Sequence, residues 1–557
     1  MLHVEKLELK FGKSAGSPAE IINLSPITVF VGPNNSGKSV VLNEIQNYCS
    51  GGHQNAPNYK VLKSLGIPAF VAEEADALIE KYQIDDKTMQ PGVIRFGRYP
   101  QNATQLQKNH LRIALINEHQ SQQRCQFYLQ HFTLTLSGTN RISLVNQQPM
   151  GDMRDGHPVS SFQVLFKDTQ KRYEVRRVLH DAFGQYLVVD PSNGGALRLV
   201  FSDREPISDV EEQGLNSRAL KFYSESTPIE ATSDGVKAFT GIVTEIVAGD
   251  PHVLIIDEPE AFLHPPLAFK LGNEVAHLTS RAGKNLFVST HSSHFVMGCI
   301  QSGVPVNIVR LTYRAGVATA RVLNNTDVFK LMRNPLLRST GVLNALFYEC
   351  VVVTESDTDR AFYQEINERL LQDEPNRGIP NCLFLNAQNK QTTKTIIRPL
   401  RELGIPAAAI VDVDILKEGG TVWSSFLDAG FVPEIDRQSL ALTRKAILDK
   451  FSASGKDMKS DGGIDLLDAS DKEAANNMFD LLAKYGLFVV RHGELESWLK
   501  SVGAIGKKTS WLIDMFEKMG EAPESPSYIR PSKGDVWDFI SSSRKWLVNQ
   551  ERSGIPS

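Results

Sequence analysis

Residues 29–39, VFVGPNNSGKS, carry an apolar run straight into a glycine-rich turn that ends in lysine and serine. Gly32, Gly37, Lys38 and Ser39 fit the spacing G-x-x-x-x-G-K-[ST], with Pro33, Asn34, Asn35 and Ser36 filling the turn. A loop of this kind needs a strand before it and a helix after it. Its backbone N–H groups wrap phosphates, the lysine reaches the outer ones and the hydroxyl meets Mg²⁺. PITVFV in front and SVVLNEIQNY behind supply both elements, so a nucleoside triphosphate is the first ligand to expect.

A chain of 557 residues is long for one core, and two or three domains are expected. The composition is that of an ordinary globular protein, with 41% hydrophobic and 22% charged residues. A net charge of −4 provides no global positive field, so any contact with DNA must come from a local groove. Cys49, Cys125, Cys299, Cys350 and Cys382 are far apart and include no C-x-x-C pair, which argues against a disulfide framework and a cysteine-based zinc site. The start, MLHVEKLELKFG, is unlike a secretory signal, and no apolar run approaches the roughly 18 residues that span a bilayer. A soluble, cytoplasmic protein with no membrane partner is the expectation.

Along the chain the reading is α/β. Residues 1–60 and 211–340 read as two halves of one nucleotide-binding domain, with 61–210 inserted as an arm or dimerisation region. Within the insertion, PAFVAEEADALIEKYQI and KRYEVRRVLHDAFGQY have helical patterns, while CQFYLQHFTLTLSG and SSFQVLFKD alternate like strands. A second α/β unit with a parallel sheet follows at 345–500, interrupted by a polar, partly helical insert at 417–485, and 501–557 forms a helical tail.

A phosphate loop needs a carboxylate at another strand end to hold Mg²⁺, and an acid to orient the attacking water. VLIIDEPEAFLHP offers Asp257 for the first and Glu258 for the second. LFVSTHSSHF places His291 at a further strand end, where an imidazole can sense the γ-phosphate, with His294 as second choice. Phosphate loop, TSDGVK, LIIDEP, EAFLHP and the histidine strand together resemble an ABC-type ATPase head, in the branch that includes RecF-like and SMC-like DNA-maintenance proteins. The resemblance implies ATP as the nucleotide. It also implies that Ser233 and Gly235 complete the opposite subunit's site in a homodimer or higher oligomer. The signature reads S-D-G-V-K instead of the transporter L-S-G-G-Q, and Gln101, Gln105 and Gln107 remain alternatives for the glutamine loop.

The second constellation is acidic. Glu355 and Asp359 lie four apart where CVVVT gives way to DTDRAFY, and Asp412 and Asp414 close AAAIVDVDI, where an extended segment points both to one side. Four carboxylates without a lysine among them would repel, and divalent cations with hard oxygen preference, Mg²⁺ or Mn²⁺, are the natural neutraliser. Two such ions could stabilise the attacking and leaving oxygens of a phosphodiester displacement. With 64 acidic residues, about seven acid-x-acid pairs arise by chance, so the weight lies in the placement after buried strands. The arrangement resembles the Toprim fold, although Ser356 stands where a glycine commonly follows the glutamate.

An ABC head followed by a Toprim domain resembles the OLD (overcoming lysogenization defect) nucleases, which include the nuclease subunit of Gabija antiphage systems and retron-associated members. That resemblance implies Glu496, in Leu495-Glu496, as a further metal ligand, with Glu494 as second choice, and Lys533 as a phosphate-assisting lysine. It implies DNA as substrate, and a helicase or a retron reverse transcriptase with its RNA–DNA as partners. Lys390, Lys394, Arg398 and Arg401 form a basic cluster that could contact DNA phosphate. The expected function is an ATP-regulated, metal-dependent DNA endonuclease of antiphage defence. The alternative is an ATPase scaffold whose Toprim domain binds DNA or a partner protein without cutting.

Overall fold

The structure is a computed structural model, and it describes residues 2–84, 89–138, 140–154, 156–323, 328–329, 333–339 and 341–556. The chain divides into two compact units, residues 1–325 and 326–557.

The first unit is organised by strand β1 (Ile27–Val31), all five residues of which are buried. Such an unbroken apolar run suits a parallel strand covered on both faces. Helix α1 (Lys38–Gly51) leaves the phosphate loop and buries Val41, Leu42 and Ile45 in one core with Phe30, Ile255 and Phe287. Strand β2 (Thr133–Leu136), short helices α2 (Asn140–Ser143) and α3 (Ser161–Lys167), and α4 (Thr169–Phe183) come next. They are followed by the hairpin β3 (Tyr186–Asn193) and β4 (Ala196–Ser202), then α5 (Asp234–Thr244), β5 (Val253–Asp257) and α6 (Pro265–Arg281). The unit ends with β6 (Asn285–Ser289), α7 (Ser293–Gln301) and the antiparallel pair β7 (Val306–Arg314) and β8 (Val317–Leu323). The central sheet has the order β8-β7-β1-β6-β5-β2, with every pairing parallel except β7 with β8.

Two local expectations in the 61–210 stretch are corrected. SSFQVLFKD is helix α3, capped by Ser160, whose side chain accepts the N–H of Gln163. Its alternation of Phe162, Val164 and Phe166 mimics a strand, but the apolar residues it buries are Phe162 and Leu165, one helical turn apart. CQFYLQHFTLTLSG is helical up to Phe132, burying Cys125, Tyr128, Leu129 and Phe132 at helical spacing, and only Thr133–Leu136 is strand. That strand pairs in parallel with β5 and so belongs to the same sheet as the phosphate-loop strand. PAFVAEEADALIEKYQI and KRYEVRRVLHDAFGQY contain the helices Ala72–Tyr82 and α4, as their periodicity indicates.

In the second unit, β9 (Cys350–Thr354), α8 (Asp357–Asp373), β10 (Cys382–Asn386), α9 (Lys390–Glu402) and β11 (Ala407–Asp412) alternate as the sequence predicts. After α10 (Glu434–Ser454) and α11 (Ala469–Lys484) comes β12 (Leu487–Val490), then α12 (Thr509–Met519) and α13 (Asp535–Val548). All pairings in the sheet are parallel and the order is β10-β9-β11-β12. The chain moves from β9 outward to β10 and then crosses back to β11. The strand order therefore reverses between β9 and β11, and in open α/β sheets the crevice at such a reversal, beyond the strands' carboxyl ends, is where ligands bind.

Two members of the basic cluster on α9, Arg398 and Arg401, have structural partners. Arg401 is fully buried and donates to the carbonyl oxygens of Ala407 (2.9 Å), Gly430 (2.9 Å), Tyr485 (2.8 Å), Gly486 (3.3 Å) and Gly554 (3.0 Å), tying the tail to the sheet. Arg398 is paired with Glu402 and Asp428. The side chain of Lys390 lies outside what is described. Truncation in Arg401→Ala leaves several buried carbonyls without donors, and we predict a loss of about 3–5 kcal/mol in unfolding free energy by denaturant titration. Arg401→Lys should recover little of it, because an ammonium cannot reproduce the planar fork of donors.

Candidate functional site

In the first unit the phosphate loop connects β1 to α1. Gly32 has φ of +145°, and a Cβ there would lie 2.1 Å from the carbonyl oxygen of Leu311, so no other residue fits. Gly37, at φ +95°, precedes the first turn of α1 and lets the loop's N–H groups turn inward. Pro33 and Ser36 are buried, Asn34 and Asn35 are exposed, and Asn35 also adopts positive φ, at +61°. Lys38 is buried and its ammonium donates to the carbonyl oxygens of Gly32 (2.9 Å) and Pro33 (2.8 Å). Burial pulls its pKa down to about 8, while the nearby Glu258 and Asp257 pull the other way. An incoming phosphate would offer this ammonium charged oxygens in place of carbonyls.

Sheet order places the other groups. Asp257 ends β5, and its Oδ1 accepts from Ser39 Oγ (3.2 Å) and from Ser289 Oγ at the end of the intervening strand β6. Glu258 is held at φ +52°, its N–H donates to Ser289 O (2.9 Å), and its Oε1 lies 3.7 Å from His291 Nε2. The structure thus brings Lys38, Ser39, Asp257, Glu258 and His291 together, while His294 is exposed on α7. Ser233 is the exposed N-cap of α5, accepting the N–H of Val236 (3.5 Å). Gly235 is buried, and a Cβ on it would meet Phe262 O at 2.5 Å. Gln101 donates to Val159 O (2.7 Å), and Gln105 and Gln107 lie on the strand Thr104–Gln107.

Two groups escaped the sequence reading. Arg141, on α2, is buried and donates from Nη1 to the carbonyl oxygens of Asp257 (3.2 Å) and Glu258 (2.6 Å). It therefore fixes the peptide that carries the candidate acid in its left-handed conformation. Glu260 receives the N–H of His291 on Oε1 (2.7 Å), and burial raises its pKa. The second acid of D-E-P-E could have been found in the motif. Arg141, 116 residues upstream of Asp257, carries no local signal.

The second unit gathers carboxylates at the switch point. Oxygens of Glu355, Asp412 and Asp414 all lie within 4.8 Å of one another. Glu355 follows β9, and its Oε1 accepts the N–H of Asp412 (2.9 Å) at the end of β11. The strand stops at Asp412, and Asp414 occupies a tight helical turn (Val413–Lys417). This corrects the expectation that an extended segment aligns the two aspartates: the turn, not the pleat, swings Asp414 back to the cluster. Burial, followed by the repulsion of Asp414, pushes the Glu355 carboxyl up to about 7. Burial, then Glu355, raises Asp412 as well.

Asp359 also takes part in a helix cap. Ser356 caps α8, accepting the N–H of Asp359 on Oγ (3.3 Å), and Asp359 Oδ2 accepts from Ser356 N (2.9 Å) and Oγ (2.8 Å). The serine that replaces a glycine is thus the helix cap. Glu496 Oε1 accepts the N–H of Lys508 (2.7 Å). Lys533 is exposed just before α13, in a segment where Asp535 accepts the N–H of Leu499 (3.2 Å). The expectation of an acid set without a lysine is overturned. Lys459, from the insert, sets its ammonium 2.7 Å from Asp412 Oδ2 and 3.7 Å from Glu494 Oε2. The donor set, three converging carboxylates of which Glu355 and Asp412 are raised in pKa by burial first and by neighbouring carboxylates after it, fits a hard divalent cation, which would be held by Glu355, Asp412 and Asp414.

Comparison with known proteins matches residues 139–297 to a family described as "AAA domain, putative AbiEii toxin, Type IV TA system". Residues 346–414 match "Overcoming lysogenization defect protein-like, TOPRIM domain". Together the two domains fit an OLD-family nuclease and make the chain an enzyme, an ATPase joined to a Toprim nuclease domain. No curated protein matches the chain. Solved structures that it resembles include an SMC head bound to the C-terminal winged-helix domain of ScpA, at 16% identity and TM-score 0.33, covering 59% of this chain and 99% of that one. The SMC head domain from Thermotoga maritima aligns at 13% identity and TM-score 0.28, covering 58% and 100%. An SMC head with an extended coiled coil, bound to the C-terminal domain of ScpA from Pyrococcus furiosus, aligns at 13% and 0.32, covering 60% and 99%.

Arg141 donates to the backbone carbonyls of Asp257 and Glu258, so its removal should separate binding from turnover. In Arg141→Met we expect an unchanged KM for ATP and a kcat lowered by up to roughly 100-fold, the scale at which small misplacements of a catalytic group are felt. A parallel loss of ATP affinity would show that Arg141 supports the loop itself.

Proposed function

We propose that this chain, with the ATPase and OLD-like Toprim domains of an OLD-family nuclease, is an ATP-regulated DNA endonuclease that depends on a divalent metal and serves in defence against phage. The observation that carries the reading is the convergence of Glu355, Asp412 and Asp414 at the carboxyl ends of two adjacent parallel strands where the strand order reverses.

In the ATPase unit, the loop N–H groups and Lys38 bind the phosphates, and Ser39 and Asp257 are the residues that would hold Mg²⁺. Glu258, turned toward the site by Arg141 and the Ser289 carbonyl, accepts the proton of the attacking water, with His291 at its side. Ser233 is exposed at the N-terminus of α5, which suits a role across a dimer in the partner's site. Gly235 serves the same helix by close packing on Phe262, so Ser233 is the better handle for testing action in trans.

In the Toprim unit, Mg²⁺ or Mn²⁺ would supply activation of water and neutralisation of the phosphodiester's charge. Glu355, half-buried and poised near neutrality, is the group able to take up the proton from that water. Glu494 and Glu496 extend the acidic rim after β12, and Lys533 is the exposed lysine offered to the phosphate from the tail. A helicase or a retron reverse transcriptase with its RNA–DNA belongs to the same reading as the source of activation.

The two chemistries lie in separate units, and mutation should separate them. Supercoiled plasmid incubated with Mg²⁺ or Mn²⁺, with and without ATP, should be nicked or cut by the parent. The double substitution Asp412→Asn with Asp414→Asn should lower cutting by at least about 100-fold while ATP hydrolysis persists. Lys38→Ala should abolish ATP hydrolysis and leave the acid cluster intact. Undiminished cutting by the folded double variant would place the nuclease elsewhere. A parent that never cuts under any metal or nucleotide condition would favour a scaffold that holds DNA or a partner protein.

A further inference from the structure

A cleft that neither chemistry uses runs along the open edge of the second unit's sheet. Among the described residues β12 is the outer strand, and the cleft has α11 on one wall, α13 on the other and β12 between them. Gly486 O accepts the N–H of Ala409 (2.9 Å), which fixes the alternation of the strand: Gly486, Phe488 and Val490 turn their backbone groups to β11. The N–H and C=O of Val489 therefore turn the other way, toward the cleft that Val489 lines. Val489 is buried, and a buried backbone donor and acceptor with no neighbouring strand cost free energy that a ligand offering both complements would recover.

The two ends of the cleft differ in chemistry. Toward the carboxyl end of β12 a cavity of about 590 Å³ is walled by the rings of Phe479, Phe488, Trp498 and Phe539. Its rim is acidic: Asp480 is paired with Arg491 (2.5 Å), Asp538 with Arg377 (2.7 Å), and Asp535 accepts the N–H of Leu499 (3.2 Å). A carboxylate has about four acceptor positions, so each of the three can accept further N–H groups. Rings on the walls and acceptors on the rim suit a flat heterocycle that carries N–H donors, and they disfavour a phosphate. A second hollow of about 410 Å³ continues the cleft toward the amino end of β12, sharing Ala483, Phe488 and Ser542 with the first. There Lys484, Lys545 and Arg552 outnumber Glu551, and both lysines are exposed. That end suits the phosphate the other end rejects. We propose that the cleft binds a nucleotide whose base carries an amino group, with the ring between the aromatic walls, its hydrogen-bonding edge on Val489 and the acidic rim, and its phosphate at Lys484 and Lys545. A free nucleotide and the terminal nucleotide of a DNA strand share this chemistry. β12 separates the cleft from β11 and the acid cluster, so the inference stands apart from the nuclease reading.

Equilibrium dialysis of dAMP, dGMP, dCMP and dTMP against the full-length chain tests this, in samples that all carry Lys38→Ala to disable the phosphate loop. The first three should bind, and dTMP, whose base has no amino group, should bind at least about 10-fold more weakly. Ser542→Trp sets a ring into the cleft from an exposed position on α13 and should abolish binding in a chain that melts as the parent does. Lys484→Ala with Lys545→Ala should weaken the nucleotides by about 10-fold and leave deoxyadenosine, which has no phosphate, unchanged. A single-stranded oligonucleotide ending in 2-aminopurine, with EDTA present, distinguishes the sources. Fluorescence quenched by the parent and restored by Ser542→Trp marks a strand end as the occupant, whereas unquenched fluorescence with dAMP bound marks the free nucleotide. Binding of none of the four overturns the proposal and leaves the edge of β12 to an added peptide strand. It is overturned equally by dTMP bound as tightly as dAMP, or by binding undiminished in folded Ser542→Trp or in the double lysine variant.

Discussion

A carboxylate at the carboxyl end of a buried parallel strand is held where water cannot fully solvate it, and everything around it must answer that charge. Asp257 at the end of β5 and Asp412 at the end of β11 are both in this position. Around Asp257 the answer is two hydroxyls, Ser39 and Ser289, with Lys38 close enough to feel the charge. Around Asp412 it is a lysine brought in by the stretch between β11 and β12, residues 413–486, and a glutamate that accepts the aspartate's own N–H. Without these partners the isolated charges would cost several kcal/mol each in the protein interior.

The two units solve the problem with different stiffness. The ATPase site is pre-set by backbone: positive φ at Gly32, Asn35, Gly37 and Glu258, and an arginine that bonds two consecutive carbonyls. The Toprim site is pre-set by burial and by side chains that repel: burial, then Asp414, raises Glu355 to about 7, and burial, then Glu355, raises Asp412. A cluster of this kind is held in waiting for positive charge, and the fold around it, through Arg401 and the packed α8, α12 and α13, supplies the rigidity that lets it wait.

What the sequence revealed and what it hid divide along range. The phosphate loop, D-E-P and the acids after CVVVT and AAAIV are contiguous patterns, and the structure brings Ser39 to Asp257 in one unit and Glu355, Asp412 and Asp414 together in the other. Ser356, odd against the family pattern, is accounted for by a capping box that periodicity does not reveal. Helix α3 was hidden because alternating apolar residues in seven positions satisfy both periods, and its cap decides the outcome. Asp414 reached its place by a turn instead of a pleat. Arg141 and Lys459 act across 116 and 47 residues of chain, and no local spacing marks either of them.

The central claim is that the acid cluster between β9 and β11 is a metal-dependent catalytic centre. Anomalous diffraction at the manganese edge, from crystals of the full-length chain grown with Mn²⁺ and without nucleotide, tests it most directly. The account predicts a peak within coordination distance, about 2.0–2.3 Å, of oxygens from Glu355, Asp412 and Asp414. Manganese bound only elsewhere, with Lys459 still paired to Asp412, would contradict it.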